Sequence, residues 1–211
     1  MFFGQMWKLH SLEDYMFVIL IFAAGLIAIT LYTRHLNSKR NDAYAQKLVH
    51  RRLKPLIREG RIYSDVSFQV PYDGPAAKYV MADHLIIDKK GILLIKTFGF
   101  GLWIIGSTEA PKWQLCDHKK QVNVCNPLLQ FKYAAVHIRE ILKTVGLDGI
   151  PITTLVILAD VFERPDLPSW SNDVIRIQDL KSWYKNRVRS ESSPSYISLD
   201  YARLAELIIT K

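Results

Sequence analysis

No charged side chain occurs between Tyr15 and Thr33, in a chain that is otherwise rich in lysine and arginine. The centre of the run, Met16 to Leu31, is apolar on every face a helix would present. About 18 residues rising ~1.5 Å each span about 27 Å, close to the hydrocarbon thickness of a bilayer. Tyr15 and Tyr32 bracket the run at the positions interfacial aromatics take. A buried core helix would keep a polar stripe. A secretory signal would open on basic residues and end on a small-x-small site. Here Glu13 and Asp14 precede the run, and no such site follows Leu31. The reading is one transmembrane helix over residues 15–33, preceded by a short segment, residues 1–14.

Charge around that helix gives an orientation. Behind it, Arg34, Lys39, Arg40, Lys47, Arg51, Arg52, Lys54, Arg58 and Arg61 face only Asp42 and Glu59. Positive-inside bias therefore puts the N-terminus outside and the body in the cytoplasm. The only two cysteines, Cys116 and Cys125, suit that reducing compartment and exclude both a disulfide scaffold and a multi-cysteine zinc fold. Residues 34–60 read as a basic juxtamembrane helical segment. They can hold anionic lipid headgroups at about 1 kcal/mol per nearby Lys or Arg. Membrane-proximal charge thus accounts for much of the formal net charge of +8, with DNA as the other polyanion to consider.

Residues 61–211 read as one cytoplasmic α/β domain. With 49% hydrophobic and 23% charged residues, disorder is excluded. A helix capped by Asn41 or Asp42 carries Ala45, Leu48, Val49, Leu53 and Leu56 on one stripe until Pro55 interrupts it. Ile62 to Val70 alternates as a strand, with Tyr63, Asp65, Ser67 and Gln69 opposite Ile62, Ser64, Val66, Phe68 and Val70. Pro71 to Pro75 is a turn-rich loop. Tyr79–Ile87 and Gly91–Thr97 form a hairpin around Asp88-Lys89-Lys90-Gly91. Short strands follow at Gly101–Ile105 and Lys112–Cys116. Asn126 caps a helix with Pro127 in its first turn, buries Phe131, Ala134, Ala135, Ile138, Leu142 and Val145, and stops at Gly146. Ile152–Leu158 has the unbroken apolar character of a central strand, and Val174–Ile177 that of an edge strand. A helix from about Gln178, a loop at 190–195 and a helix from Ser198 to Thr210 complete the chain.

Two charges lie where strands should be apolar. Asp83 sits mid-strand, on the face shared with Leu85 and Ile87, and Lys96 lies among Ile92, Leu94 and Phe98. A buried charge is costly without a partner. The economical arrangement sets the two opposite one another as counter-ions across the hairpin.

The stretch Ala82-Asp83-His84-Leu85-Ile86-Ile87-Asp88-Lys89-Lys90-Gly91-Ile92-Leu93-Leu94-Ile95 resembles the nuclease-related domain of the PD-(D/E)XK nuclease superfamily. In that family an Asp–His pair opens a strand, and a turn leads to an apolar strand. Trp103 and Trp113 stand where the family tends to place tryptophans, and Asn126-Pro127-Leu128-Leu129-Gln130 is similar to its Asn-Pro-x-x-Gln helix opening. The likeness covers about Ala43 to Asp160. It implies a mixed α/β fold with a restriction-endonuclease-like core. It also implies DNA processing in bacteria, plasmid transfer or exclusion among its forms, at the inner membrane given the anchor.

The same resemblance exposes departures. Members with an intact site follow the apolar strand with Glu-x-Lys, whose glutamate joins the aspartate in holding Mg²⁺; here those positions read Lys96-Thr97-Phe98. A further family glutamate on the first helix aligns with Ala45-Gln46. Holding the ion for phosphodiester hydrolysis needs clustered carboxylates. The positions Gln46, Asp83, Lys96, Phe98 and Gln130 therefore read as a degenerate site, with no cofactor expected and Asp83 alone a weak metal ligand. Asp65 or Asp160 from a neighbouring strand would be needed to restore one, whereas Asp88 lies too far along its strand. Phosphate contacts are expected instead from Lys96, Gln130, Lys132, Arg51 and Arg52.

Other candidates are weaker. Cys116-Asp117-His118 with Cys125 has the residue types for zinc at unsuitable spacing. Gly99-Phe100-Gly101 lacks the strand–helix setting of a phosphate loop. Trp183-Tyr184 with Lys185, Arg187 and Arg189 is either a nucleic-acid patch or an amphipathic helix end. Three functions stay open: a DNA- or protein-binding scaffold in the membrane, an active Mg²⁺-dependent nuclease with a rearranged site, and an adaptor that binds other membrane proteins without DNA.

Overall fold

A computed structural model describes residues 12–70, 79–190 and 200–209. The chain divides into two units between Lys39 and Arg40. The first is a helix, α1 (Leu12–Ser38). Its stretch Tyr15–His35 has a mean hydropathy of 2.4 and is long and apolar enough to cross a membrane. Its two threonine hydroxyls are satisfied within the helix, as suits a bilayer. Thr30 donates to the Leu26 carbonyl at 2.7 Å, and Thr33 to the Thr30 carbonyl at 3.0 Å.

The second unit starts at Arg40, so the basic segment 34–60 is not a separate juxtamembrane element. Its helix α2 (Asp42–Leu53) is part of the folded body, where Ala45, Val49 and Leu53 are fully buried. Asn41 is the cap, and its side chain accepts the Tyr44 N–H at 2.7 Å.

The body is built on a five-stranded sheet of β1 (Gly60–Gln69), β2 (Tyr79–Asp88), β3 (Gly91–Phe98), β7 (Ile152–Leu158) and β8 (Val174–Arg176), in that spatial order. The first three strands run antiparallel; β3–β7 and β7–β8 are parallel, so the sheet is mixed as expected. The β3–β7 crossover contains β4 (Trp103–Ile105), β5 (Lys112–Cys116), β6 (Gln121–Cys125) and α3 (Pro127–Thr144). β4, β5 and β6 form their own antiparallel sheet. Its third strand is absent from the sequence reading, because Gln121-Val122-Asn123-Val124-Cys125 alternates for only five residues.

Helices α4 (Leu180–Ser190) and α5 (Tyr201–Ile208) follow. The apolar stripes of α2 and α4 cover one face of the large sheet, with Ile86, Leu93, Ile95, Leu155 and Ile157. Those of α3 and α5 cover the other, with Leu85, Ile87, Ile92 and Leu94. Strand β7 is lined on both sides, since Val156 and Leu158 pack with Phe98 of β3 and with Trp113 and Leu115 of the small sheet. Val145 is not in the α3 stripe but is its exposed C-cap, because the helix ends one residue earlier. The Pro71–Pro75 loop and residues 191–195 of the 190–195 loop lie outside the described residues.

Candidate functional site

The face pattern expected of the hairpin breaks at one place, and that is where the site forms. One apolar cluster contains Val80 and Ala82 of β2 and then Leu85 and Ile87; in β1 it takes Tyr63 and then Val66 and Phe68. An interval of three would put residues of a straight strand on opposite faces. Both strands therefore change phase at Asp65 and Asp83–His84. Asp65 takes a left-handed backbone with φ of 55°, a conformation aspartate tolerates better than most residues. Asp83 consequently does not share a face with Leu85 and Ile87, and Tyr63 packs with Val66 rather than against it.

Asp83 and His84 are thus delivered to a cleft of about 690 Å³ between the strands and α2. From α2 come Gln46, Lys47, His50 and Arg51, and from its C-cap Lys54, at helical spacing; from β1, Ser64 and Asp65. Asp83 is 4% exposed and its charge is fully engaged. One carboxylate oxygen accepts the Lys96 ammonium at 2.7 Å, and the other accepts the Thr97 backbone N–H at 2.6 Å. The regular β2–β3 ladder stops at the His84–Ile95 pair, and the Asp83 side chain takes the next backbone donor of β3. The counter-ion pairing expected across the hairpin is therefore present.

His84 ties the helix to the strand. Its Nε2 lies 3.1 Å from the Gln46 carbonyl, which can only accept, so Nε2 carries the proton and Nδ1 accepts the Ser64 hydroxyl at 3.2 Å. Burial holds the imidazole below its ordinary pKa, only partly opposed by the Gln46 bond and Asp83, and the His50 ring 5.6 Å away acts with burial.

Of the residues singled out in the sequence, Gln46 and Asp83 meet in this cleft, Lys96 joins through its ion pair, and Arg51 lines the rim. Phe98 lies in the apolar cluster with Trp113 and Leu158. Gln130 and Lys132 belong to α3, which packs on the other face of the sheet, and they do not line the cleft. Arg52 donates to the Ile177 carbonyl at 2.8 Å and braces the chain after β8. Lys47 and Lys54 were missed, although their spacing around Arg51 on one helical stripe is legible in the sequence. Asn126 accepts from Leu128 and Leu129 N–H at 3.0 and 3.3 Å, while its amide donates to the Thr108 and Ala110 carbonyls at 2.8 Å. It clasps the β4–β5 loop to α3.

The remaining acids lie elsewhere. Asp160 is buried in an ion pair with Arg40 at 3.3 Å, and Asp88 pairs with Arg187 at 2.8 Å. Cys116 and Cys125 sit at opposite ends of the β5–β6 ladder, and His118 pairs with Glu163 at 3.2 Å. Mg²⁺ takes a near-octahedral shell of oxygens. The cleft offers Asp83 and Asp65, with an ammonium already on the former. Among the described residues, no group of three His, Cys, Asp or Glu is placed to hold a metal ion. The donor set does not fit that ion.

The family model NERD, nuclease-related domain, matches residues 41–159, from the cap of α2 to just past β7. No curated protein and no solved structure matches the chain. As the matched segment is more than half of the sequence and carries the whole cleft, this chain belongs to the nuclease-related domain family.

Proposed function

We propose that this protein is a membrane-anchored nuclease-like domain that holds a nucleic-acid backbone without hydrolysing it, at the cytoplasmic face of a bacterial inner membrane. The observation that carries the reading is the Lys96 ammonium 2.7 Å from the Asp83 carboxylate. By the family resemblance, a second acidic ligand belongs at position 96. With the cation there instead, the pair is neutral, and the exposed charge of the cleft is net positive, Lys47, Arg51 and Lys54 along α2 and its C-cap against Asp65. Such a row suits successive phosphates better than it suits a divalent ion. DNA processing at the membrane, including plasmid transfer or exclusion, is the setting this reading favours.

The test is duplex DNA binding by the full chain in neutral detergent across a salt series. If three phosphates are neutralised, the logarithm of affinity falls against log salt with a slope of about −2.7. Reversing Lys47 and Arg51 to Glu should flatten the slope by about two. Absence of binding at low salt points to the adaptor reading. Mg²⁺-dependent nicking that disappears in Asp83→Ala would establish a nuclease built on a rearranged site.

A further inference from the structure

A second cavity, of about 460 Å³, shares no lining residue with the Asp83 cleft. It lies where the β2–β3 turn meets the segment after α2 and the outer side of α4. Five cations line it, Arg58, Lys89, Lys90, Lys185 and Arg189, against two carboxylates, Glu59 and Asp88. Neither acid balances the four exposed ones, Arg58, Lys89, Lys185 and Arg189. Asp88 is spent inside the protein: Oδ2 accepts Arg187 Nη1 and the Tyr184 hydroxyl, each at 2.8 Å, and Oδ1 accepts the Lys90 backbone N–H at 2.8 Å. Burial and the Asp88 carboxylate push the Tyr184 phenol above its ordinary pKa, so it stays a donor. Glu59 is exposed and pairs with the exposed Lys89 ammonium at 3.4 Å, a pairing that water largely screens.

The Asp88–Arg187–Tyr184 cluster has a positional consequence. It fastens α4 to the hairpin turn, so Lys185 and Arg189, one helical turn apart on the exposed side, are held opposite Lys89 and Arg58. Like charges converging on one concavity raise each other's energy, and a compact anion turns that repulsion into attraction. The walls left over are apolar, from Pro55, Leu56 and Val188. The size falls in the usual range of about 300–1,000 Å³ for small-ligand sites, well short of what a duplex needs. A terminal phosphate concentrates two charges in one group, which fits a ring of cations better than a phosphodiester with one.

We infer that this cavity is a binding site for a phosphomonoester, distinct from the nucleic-acid cleft. Such a group reaches a protein as a lipid headgroup, as a nucleotide or as free phosphate. Three probes are therefore titrated calorimetrically into the full chain in neutral detergent: glycerol 3-phosphate, adenosine 5′-monophosphate and inorganic phosphate. Saturable one-to-one binding is expected for at least one. It should weaken about ten-fold or more in K185E/R189E, whose side chains are exposed, with the thermal midpoint of the ligand-free protein not lowered. Should that variant fail to fold, K185Q/R189Q gives the same readout with a smaller loss. Tightest binding of glycerol 3-phosphate assigns the site to lipid headgroups, that of the monophosphate nucleoside to nucleotides, and equal binding of all three to the phosphate alone. Absence of saturable binding overturns the assignment. So does binding that survives K185E/R189E but is lost in K47E/R51E, which would place the ligand in the other cleft.

Discussion

Lys96 and Asp83 illustrate how one side chain sets the character of a site. Both oxygens of the carboxylate are engaged, so Asp83 is tolerated at 4% exposure because a cation and a backbone donor replace water. Lys96→Glu should therefore destabilise the fold by about 3 kcal/mol or more in metal-free buffer, since two carboxylates would then share a buried position. A thermal midpoint equal to that of the unaltered protein would show that the pair does not carry this charge. His84 supplies a second residue-level test. Its folded pKa lies below its unfolded value of about 6.5, so the unfolded chain binds more protons in between. The contribution is whole above about pH 6.5 and is lost as pH falls toward the folded pKa. Urea midpoints measured between about pH 7.5 and about pH 5 should decline, and His84→Gln should flatten that decline. An unaltered slope in the variant would locate the titrating group elsewhere.

Among the elements, α2 and α3 matter most, and each is fixed by residues at its N-terminal end. At the start of α2, the Asp42 side chain accepts the Gly99 N–H at 2.7 Å. A Cβ on Gly99 would overlap the Asn41 carbonyl, so glycine lets the end of β3 press directly against the cap. That contact sets where the basic stripe of α2 stands beside Asp83. Asn126 does the corresponding work for α3 while its amide holds the loop from Thr108 to Ala110. Asn126→Asp keeps the acceptor for the helix N–H groups but turns the donor into a carboxylate facing carbonyls. It should cost more stability than Asn126→Ala, for which about 2–3 kcal/mol is expected from the lost cap and orphaned carbonyls. Denaturant unfolding of the two variants decides it; equal losses would mean the amide contributes little.

For the whole molecule, the division between Lys39 and Arg40 separates a helix with no buried face from a body with its own core. A chain starting at Arg40 should be recovered in the soluble fraction with the same thermal midpoint as the body of the full chain, which should sediment with membranes. A truncated chain that still pellets, or one that melts well below the full protein, would count against that division. A C-terminal reporter active only in the cytoplasm should light up, as the excess of basic residues behind the helix dictates.

Much of this was legible from residue order alone. The uncharged run has no alternative to a long apolar helix, because its pattern is uniform on every face. The Asp83–Lys96 pairing followed from two charges set where strands should be apolar, each needing the other as counter-ion. The phase change at Asp65 and His84 was not legible, because alternation rules assume a straight strand and the change needs a left-handed backbone at Asp65. Nor was the assignment of α2 to the body, whose charge resembles that of any juxtamembrane segment until Ala45, Val49 and Leu53 are seen buried. Residue order determined which groups carry charge and how far apart they lie along each element. Only tertiary packing decided which of those charges neutralise each other, because that depends on distances across the sheet between residues remote in the chain.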